Sequence, residues 1–340
     1  MNWEEKFELV TKNIQEIIGE EELKEKLKSK KDFSVYWGTM PTGSVSLAYF
    51  FPMMKIADFL KAGLKVKILL ADLHAALDSV PWEILEKRYK YYREAITLIL
   101  KTIGVDLKKL EFVKGSELQL NKNYFEDLLK LSTITSLHDS AKAASEGIKS
   151  ASGENIRLSG MIYPLMQALD EEYLKVDAQF AGVDQRKIMV YAREYLPKMG
   201  YKERVEIMNP MIRGLVGEKM SSSIEGTKID LMDDEETVRK RINNADCVSG
   251  DTNNGILTLV KYLFLELNGE IVIERPEKFG GNLVYKKYLD LEKDFINKIL
   301  HPLDLKNSVS KEVNKLLRKF RESEKIKKLY GDAYPGFKKK

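Results

Sequence analysis

The stretch "FSVYWGTMPTGSVSLAYFFPMMKIADFLKAGLKVKILLADL", residues 33–73, decides the architecture. "FSVYWG" (33–38) is aromatic and β-branched, the composition of a buried strand. "PTGSVS" (41–46) supplies turn residues, and "SLAYFFPMMKIADFLKAG" (46–63) reads as a helix closed by Gly63. "KVKILLADLHA" (65–75) is a second buried strand. The alternation continues with a long helix, "WEILEKRYKYYREAITLILKTIG" (82–104), and a third strand, "LEFVKGSE" (110–117). Strand, helix, strand, helix, strand at this spacing predicts a parallel α/β sheet whose first strand-to-helix turn bears a glycine.

Further along, "MIYPLMQALDEEYLKV" (161–176) predicts a helix, "DAQFAG" (177–182) a short strand, "DQRKIMVYAREYLPKMG" (184–200) a helix and "RVEIMNPMI" (204–212) a strand. From about Asp233 the pattern turns mostly helical: "DDEETVRKRINNA" (233–245), "ILTLVKYLFLEL" (256–267), "VYKKYLDLEKDFINKIL" (284–300) and "DLKNSVSKEVNKLLRKFRES" (304–323). The expected domains are therefore 1–230 and 231–340. The N-terminus is read as an amphipathic helical stripe through Trp3, Phe7, Val10, Ile14 and Ile17.

The totals narrow the function classes. A chain of 340 residues with 44% hydrophobic and 32% charged residues is a globular protein with room for two cores. Its net charge of +4 creates no global cationic field. Local basic runs such as "KEKLKSKK" (24–31) are ordinarily solvated faces. A single cysteine, Cys247, excludes an internal disulfide. Three histidines with no Cys/His spacing leave no zinc pattern. No apolar run is long enough to span a membrane, and no secretory signal precedes the first helix. The expected location is the cytoplasm.

In an open α/β sheet, ligands bind beyond the carboxyl ends of the strands. Three segments fall there: the turn after Gly38, "AGVDQ" (181–185) and "RGLVGEKMSSSIEG" (213–226). The last offers Lys219 as a point charge beside the hydroxyls and amides of Ser221, Ser222 and Ser223, suited to charge developing on a phosphate chain. It is not a Walker loop, and a Ser-rich surface loop is the plain alternative. Tyr163, Gln167 and Asp170 share one helix face at i, i+4 and i+7, either lining a polar cavity or forming a solvated edge. Gly182 allows close backbone approach, and Asp184 is placed either to accept from a ribose or to cap a helix.

"KMSSS" resembles the lysine–serine signature of class I aminoacyl-tRNA synthetases. "YWGTMPTG", "YPLMQALD", "FAGVDQRK", "ADLHA", "EEYLKVDAQF" and "HPLDLKN" together resemble the tyrosyl-type enzymes of eukaryotes and archaea, over about Tyr36 to past Asn307. The resemblance implies a Rossmann-type parallel-sheet catalytic domain followed by a mostly α-helical anticodon-binding domain. It implies tyrosine activation by ATP with Mg2+, then transfer to tRNA(Tyr). Tyr36 and Asp170 would hold the phenolic hydroxyl; Tyr163, Gln167 and Gln185 the amino end and ring. Gly38, Gly182 and Asp184 would contact ATP, with Lys219 and the serines on its phosphates. Phe279, His301 and Asp304 would read the anticodon, and Arg186 and Lys187 would face the acceptor stem. A homodimer formed near 120–160 is also implied.

Three positions depart from the family pattern. Ser46 opens "SLAY", where the family's signature has histidine and Tyr49 takes the last place. Losing a transition-state donor typically costs about 3–4 kcal/mol, so adenylation slower than in the family is expected. Ala181 stands where glycine is usual, and Leu118 where an aromatic is usual. Two rival readings are a non-catalytic RNA-binding relative and a tryptophan enzyme; the intact "KMSSS" opposes the first, and Tyr36 with Asp170 the second.

Overall fold

The computed structural model describes residues 1–29, 32–146, 157–217 and 228–335. By internal contacts the chain groups into two compact units. The first comprises Met1–Thr42, Lys55–Arg93 and Val105–Met211; the second comprises Gly43–Met54, Glu94–Gly104 and Ile212–Lys340. Residues 43–54 and 94–104, assigned from sequence to the N-terminal domain, thus group with the C-terminal half.

The first unit is built on a six-stranded sheet in the order β1-β6-β5-β2-β3-β4, with β1 Glu16–Ile18, β2 Ser34–Thr39, β3 Lys65–Leu70, β4 Leu110–Lys114, β5 Ala178–Gly182 and β6 Val205–Asn209. Neighbours from β4 to β6 are parallel. The inner strands bury both faces, so they read as largely apolar runs. The parallel α/β expectation therefore holds.

The N-terminal stripe needs correction. Helix α1 is Trp3–Thr11, and Ile17 belongs to β1, which pairs antiparallel with β6. Helix α2, Glu20–Lys28, follows, and its lysines are engaged by carboxylates: Lys24 by Glu20 and Glu21, Lys26 by Asp177.

Two strands are shorter than expected. "ADLHA" forms helix α4, Asp72–Leu77, and "GSE" opens helix α6, Gly115–Gln119. Helix α3, Phe50–Lys61, precedes β3, and helix α5, Leu85–Ile103, lies between α4 and β4 in the chain. Helices α7, Lys122–Ile134, α8, Leu137–Ala144, α9, Leu158–Tyr173, and α10, Arg186–Tyr195, complete the unit. Pro164 lies inside α9 rather than in its first turn, so it cannot donate to the Gly160 carbonyl. Tyr163, Leu165, Met166 and Leu169 of α9 pack with Tyr124, Leu131, Ile188 and Tyr191 in one apolar cluster.

The second unit holds α11, Glu235–Asn243, α12, Gly255–Leu259, α13, Leu265–Asn268, α14, Tyr288–Ile296, α15, Pro302–Glu322, and α16, Glu324–Ala333. The apolar run 256–267 is helical throughout, as expected, with a π-helical turn, Val260–Phe264, between α12 and α13. "VY" at 284–285 belongs to a strand, β8 Leu283–Tyr285, paired antiparallel with β7 Ile271–Ile273. Helix α16 has no counterpart in the sequence-based expectation; Ser323 caps it by accepting from the Ile326 N–H.

Candidate active site

Strand β2 is flanked by β3 on one side and β5 on the other. Such a switch in strand order opens a crevice at the carboxyl ends. A cavity of about 200 Å³ lies there, below the ~300–1,000 Å³ usual for drug-sized ligands and suited to one amino acid. Tyr36 and Gly38 line it from β2, Tyr163, Gln167 and Asp170 from α9, and Gly182 and Gln185 from the end of β5. The i, i+4, i+7 face of α9 is therefore a cavity wall and not a solvated edge. Ala181 also lines the cavity, while Leu118 packs against Tyr36, Leu69 and Leu174.

Asp170 lies at the deep end, only 1% exposed. Gln119 Nε2 donates to its Oδ1 at 2.8 Å and Oδ2 at 3.1 Å, and Tyr124 Oη lies 2.9 Å from Oδ1. Burial pushes the carboxyl up to about 7, while these two donors pull the other way. The Tyr36 hydroxyl, equally buried, has no hydrogen-bond partner among the described residues. Burial, then the charges of Glu171 and Asp170, drive its pKa well above the ordinary phenol value.

Gln119, Tyr124 and His74 were not among the residues singled out from sequence. His74 Nδ1 lies 3.1 Å from Gln119 Nε2, so its proton resides on Nε2, 3.8 Å from Asp170 Oδ2. Burial lowers its pKa to about 3, which keeps the ring neutral. The ring also meets Tyr163 edge-on at 4.5 Å. Gly115 lets α6 deliver Gln119: a Cβ there would stand 2.8 Å from Asp72 Oδ1 and 3.0 Å from Gln119 Oε1. The available signal was a glutamine between two leucines just past the end of β4.

A Cβ at Gly182 would lie 2.5 Å from Asp184 Oδ1, the movable end of a side chain, so a larger residue there would require that carboxylate to turn. Arg186 grips Glu16 through Nε at 2.8 Å, and Lys187 Nζ is 2.8 Å from both Ser145 Oγ and Glu146.

In the second unit, Ser46 is buried and pairs by a β-bridge with Asp230, and the Tyr49 N–H donates to its carbonyl at 3.0 Å. Asp230 accepts from the Ser44 hydroxyl. Lys219, Met220, Ser221, Ser222 and Ser223 lie outside the described residues. The segment before them is anchored: the Asp246 N–H donates to the Leu215 carbonyl at 2.8 Å, and the Gly217 N–H to Asp246 Oδ2 at 3.0 Å.

Phe279 is 61% exposed, so it is not a core residue. His301, not Asp304, caps α15, its Nδ1 accepting from the Leu303 N–H at 3.2 Å. Arg275 donates to the Gly281 and Ile299 carbonyls, tying the turn that carries Phe279 to the segment leading into His301.

Comparison with known proteins agrees with this arrangement. The family profile "tRNA synthetases class I (W and Y)" matches residues 28–318. A cytoplasmic tyrosine–tRNA ligase of Gallus gallus is 52% identical over 98% of the chain, which spans 64% of that relative's length. One of Saccharomyces cerevisiae is 46% identical over 94% of this chain and 84% of its own. The crystal structure of tyrosyl-tRNA synthetase complexed with L-tyrosine from Archaeoglobus fulgidus superposes with a TM-score of 0.87 at 38% identity, covering 97% of this chain and all of that one. The chain thus belongs to the class I tRNA synthetase family of the tryptophan and tyrosine enzymes.

Proposed function

We propose that the chain is a tyrosine–tRNA ligase, which joins tyrosine to ATP as tyrosyl-adenylate and transfers the tyrosyl group to tRNA(Tyr). One observation carries the choice of amino acid. A buried phenol without a partner, Tyr36, and a buried carboxylate, Asp170, face one small cavity. A substrate hydroxyl satisfies both, donating to Asp170 and accepting from Tyr36, whereas an indole N–H can donate to Asp170 but offers no acceptor for the Tyr36 hydroxyl. Tyr163, Gln167 and Gln185 hold the ammonium end. Gly38, Gly182 and Asp184 serve the adenosine, and Ser46, Tyr49, Lys219, Ser221, Ser222 and Ser223 serve the phosphates of MgATP, roles carried over from the family signatures. The tyrosine carboxylate attacks the α-phosphorus and pyrophosphate leaves; no protein nucleophile is needed, and orientation with charge stabilisation supplies the rate. Pyrophosphate exchange into ATP, run with tyrosine, with tryptophan and with neither, tests the reading: exchange with tryptophan alone, or with neither, refutes it.

The Asp170 carboxyl makes recognition pH-dependent. Its ionised form accepts from Gln119, Tyr124 and the substrate; protonation sets an O–H against these donors. Tyrosine kcat/KM should therefore fall about tenfold per unit as pH drops below about 7. The kcat profile should inflect lower, because bound tyrosine favours the ionised form. A flat kcat/KM profile from pH 5.5 to 8 would contradict this assignment.

Phe279, His301 and Asp304 are proposed to read the anticodon by stacking and by hydrogen bonds to a guanine edge. Phe279→Ala and Asp304→Ala should each lower kcat/KM for tRNA by about 10–100-fold, the worth of one stacked base, and leave pyrophosphate exchange unchanged. Arg186 and Lys187 would turn to the acceptor stem by leaving their carboxylate partners. Exposed Phe125, Leu129 and Leu137 on α7 and α8 support a homodimer through this region, which light scattering would register. The cytoplasm is the proposed location, as for the relatives; no described helix is long and apolar enough to cross a membrane.

A further inference from the structure

A second polar cluster lies behind the cavity within the first unit. Tyr36 on β2, Gln179 on β5 and Glu206 on β6 are register partners across adjacent parallel strands, so their side chains leave one face of the sheet in a row. Glu171 on α9 lies close enough to act electrostatically on both Tyr36 and Glu206. Gln179, Glu171 and Glu206 are 2%, 1% and 0% exposed. Gln179 Oε1 and both carboxylate oxygens of Glu171 and of Glu206 have no hydrogen-bond partner among the described residues.

All five of these atoms are acceptors, and nearby donors are committed elsewhere. Arg204 donates to Glu172 at 2.5 Å and to the Val176 carbonyl at 3.2 Å. Arg193 is held by Glu203 and the Arg204 carbonyl. Lys67, next in the row beyond Tyr36, donates to the Leu174 carbonyl at 2.8 Å. The charges of Arg204 and Arg193 favour ionisation of both carboxyls, and against them stand burial and the negative charges of Glu22 on α2 and Asp170 on α9. Two buried carboxylates side by side cannot both ionise cheaply. Besides the Gln179 N–H groups and the Tyr36 hydroxyl, which the reading above assigns to the substrate, the hydrogens that this cluster can supply from its own chemistry are the carboxyl protons.

We infer that Glu171 and Glu206 form a buried pair of carboxylic acids that donates to Gln179 Oε1 and so fixes the Gln179 amide with its N–H edge toward the cavity. Gln179 itself lines that cavity. An aromatic substrate presents a negative ring face, to which the N–H edge is complementary and the carbonyl edge is not. Glu171 and Glu206 are thus positioning residues for tyrosine, an assignment that rests on the reading of the cavity given above. Burial pushes Glu171 up to about 8 and Glu206 well above the ordinary range, so both hold their protons at neutral pH and Glu171 begins to lose its own above it.

Pyrophosphate exchange with the wild type, Glu206→Gln and Glu206→Ala, from pH 6.5 to 9, tests the inference. Glutamine is permanently neutral and can still donate to Gln179. In the wild type, KM for tyrosine should rise more steeply from pH 7.5 to 9 than in Glu206→Gln, with KM for ATP changing less than about twofold in either. Glu206→Ala should raise tyrosine KM at every pH, and Glu206→Gln should restore it. Parallel tyrosine profiles in the wild type and Glu206→Gln, or equal shifts in both KM values, would overturn the inference.

Melting gives a readout independent of activity. With both folded pKa values raised from about 4.5, the stability contributed by the protonated pair is complete below pH 4.5 and falls as pH rises, Glu171's share being lost through about 8. The Tm of Glu206→Gln relative to the wild type should therefore climb by several degrees from pH 5 to 9. An unchanging difference would refute the protonated pair. A wild type without tyrosine-dependent exchange would instead overturn the functional reading, and melting would still decide this one.

Discussion

Asp170→Ala should reduce kcat/KM for tyrosine at least ~100-fold and bring it close to that for phenylalanine. The substrate hydroxyl then faces a site without its acceptor, and a hydrogen bond to a charged group is worth about 1.5–3 kcal/mol. Gln119 Nε2 and Tyr124 Oη lose the carboxylate they now serve, which should lower Tm as well. Asp170→Asn is no remedy, because its amide would set a donor against the Gln119 donor. Sites built to bond a hydroxyl reject the analogue lacking it by about 10⁴–10⁵-fold, a magnitude established on tyrosine-activating synthetases themselves. Measuring exchange with tyrosine and with phenylalanine for both proteins checks the prediction. Retained discrimination in Asp170→Ala would mean that the hydroxyl is read elsewhere.

Gly255→Ala should cost about 3 kcal/mol and lower Tm by roughly 6–12 °C. A Cβ at 255 would lie 2.3 Å from the Gly214 carbonyl oxygen, 2.8 Å from its carbon and 3.1 Å from Leu215 Cα. All three are backbone atoms, so no side chain can rotate aside. Helix α12 cannot easily retreat, because Asn254 caps it by accepting from the Leu257 N–H at 2.9 Å and itself donates to the Asp251 carbonyl at 2.7 Å. The displaced segment runs directly into Gly217 and Lys219. Exchange rate should therefore fall while tyrosine binding to the first unit persists. Unchanged melting would show that the Gly214 carbonyl yields at little cost.

Much of the sheet was legible because inner parallel strands are buried on both faces and leave largely apolar runs, broken by single polar residues such as Gln179 and Glu206. The α9 wall was legible because Tyr163, Gln167 and Asp170 recur at helical spacing. What escaped has identifiable causes. Strand β1 has only three residues, too few for a period of two to appear. "ADLHA" is a buried helical turn, and a short apolar run does not distinguish helix from strand. Gln119 and Tyr124 reach Asp170 across 51 and 46 residues of sequence, a proximity that local periodicity does not encode. The meeting of the partnerless acceptors of Gln179 and Glu206 depends on register between β5 and β6, which emerges only in three dimensions.

The interleaved grouping of the chain bears on how relatives can be recombined. Within the second unit Phe50 packs edge-on against Phe320 at 6.0 Å, Lys325 pairs with Glu94 at 2.5 Å, and Tyr334 Oη donates to the Gly43 carbonyl at 2.5 Å. A graft of the C-terminal half from another synthetase, joined at a single crossover near 212 or 231, would arrive without the residues that seat it. A chimera designed to exchange the second unit must carry 43–54 and 94–104 along with the tail, as three matched pieces rather than one.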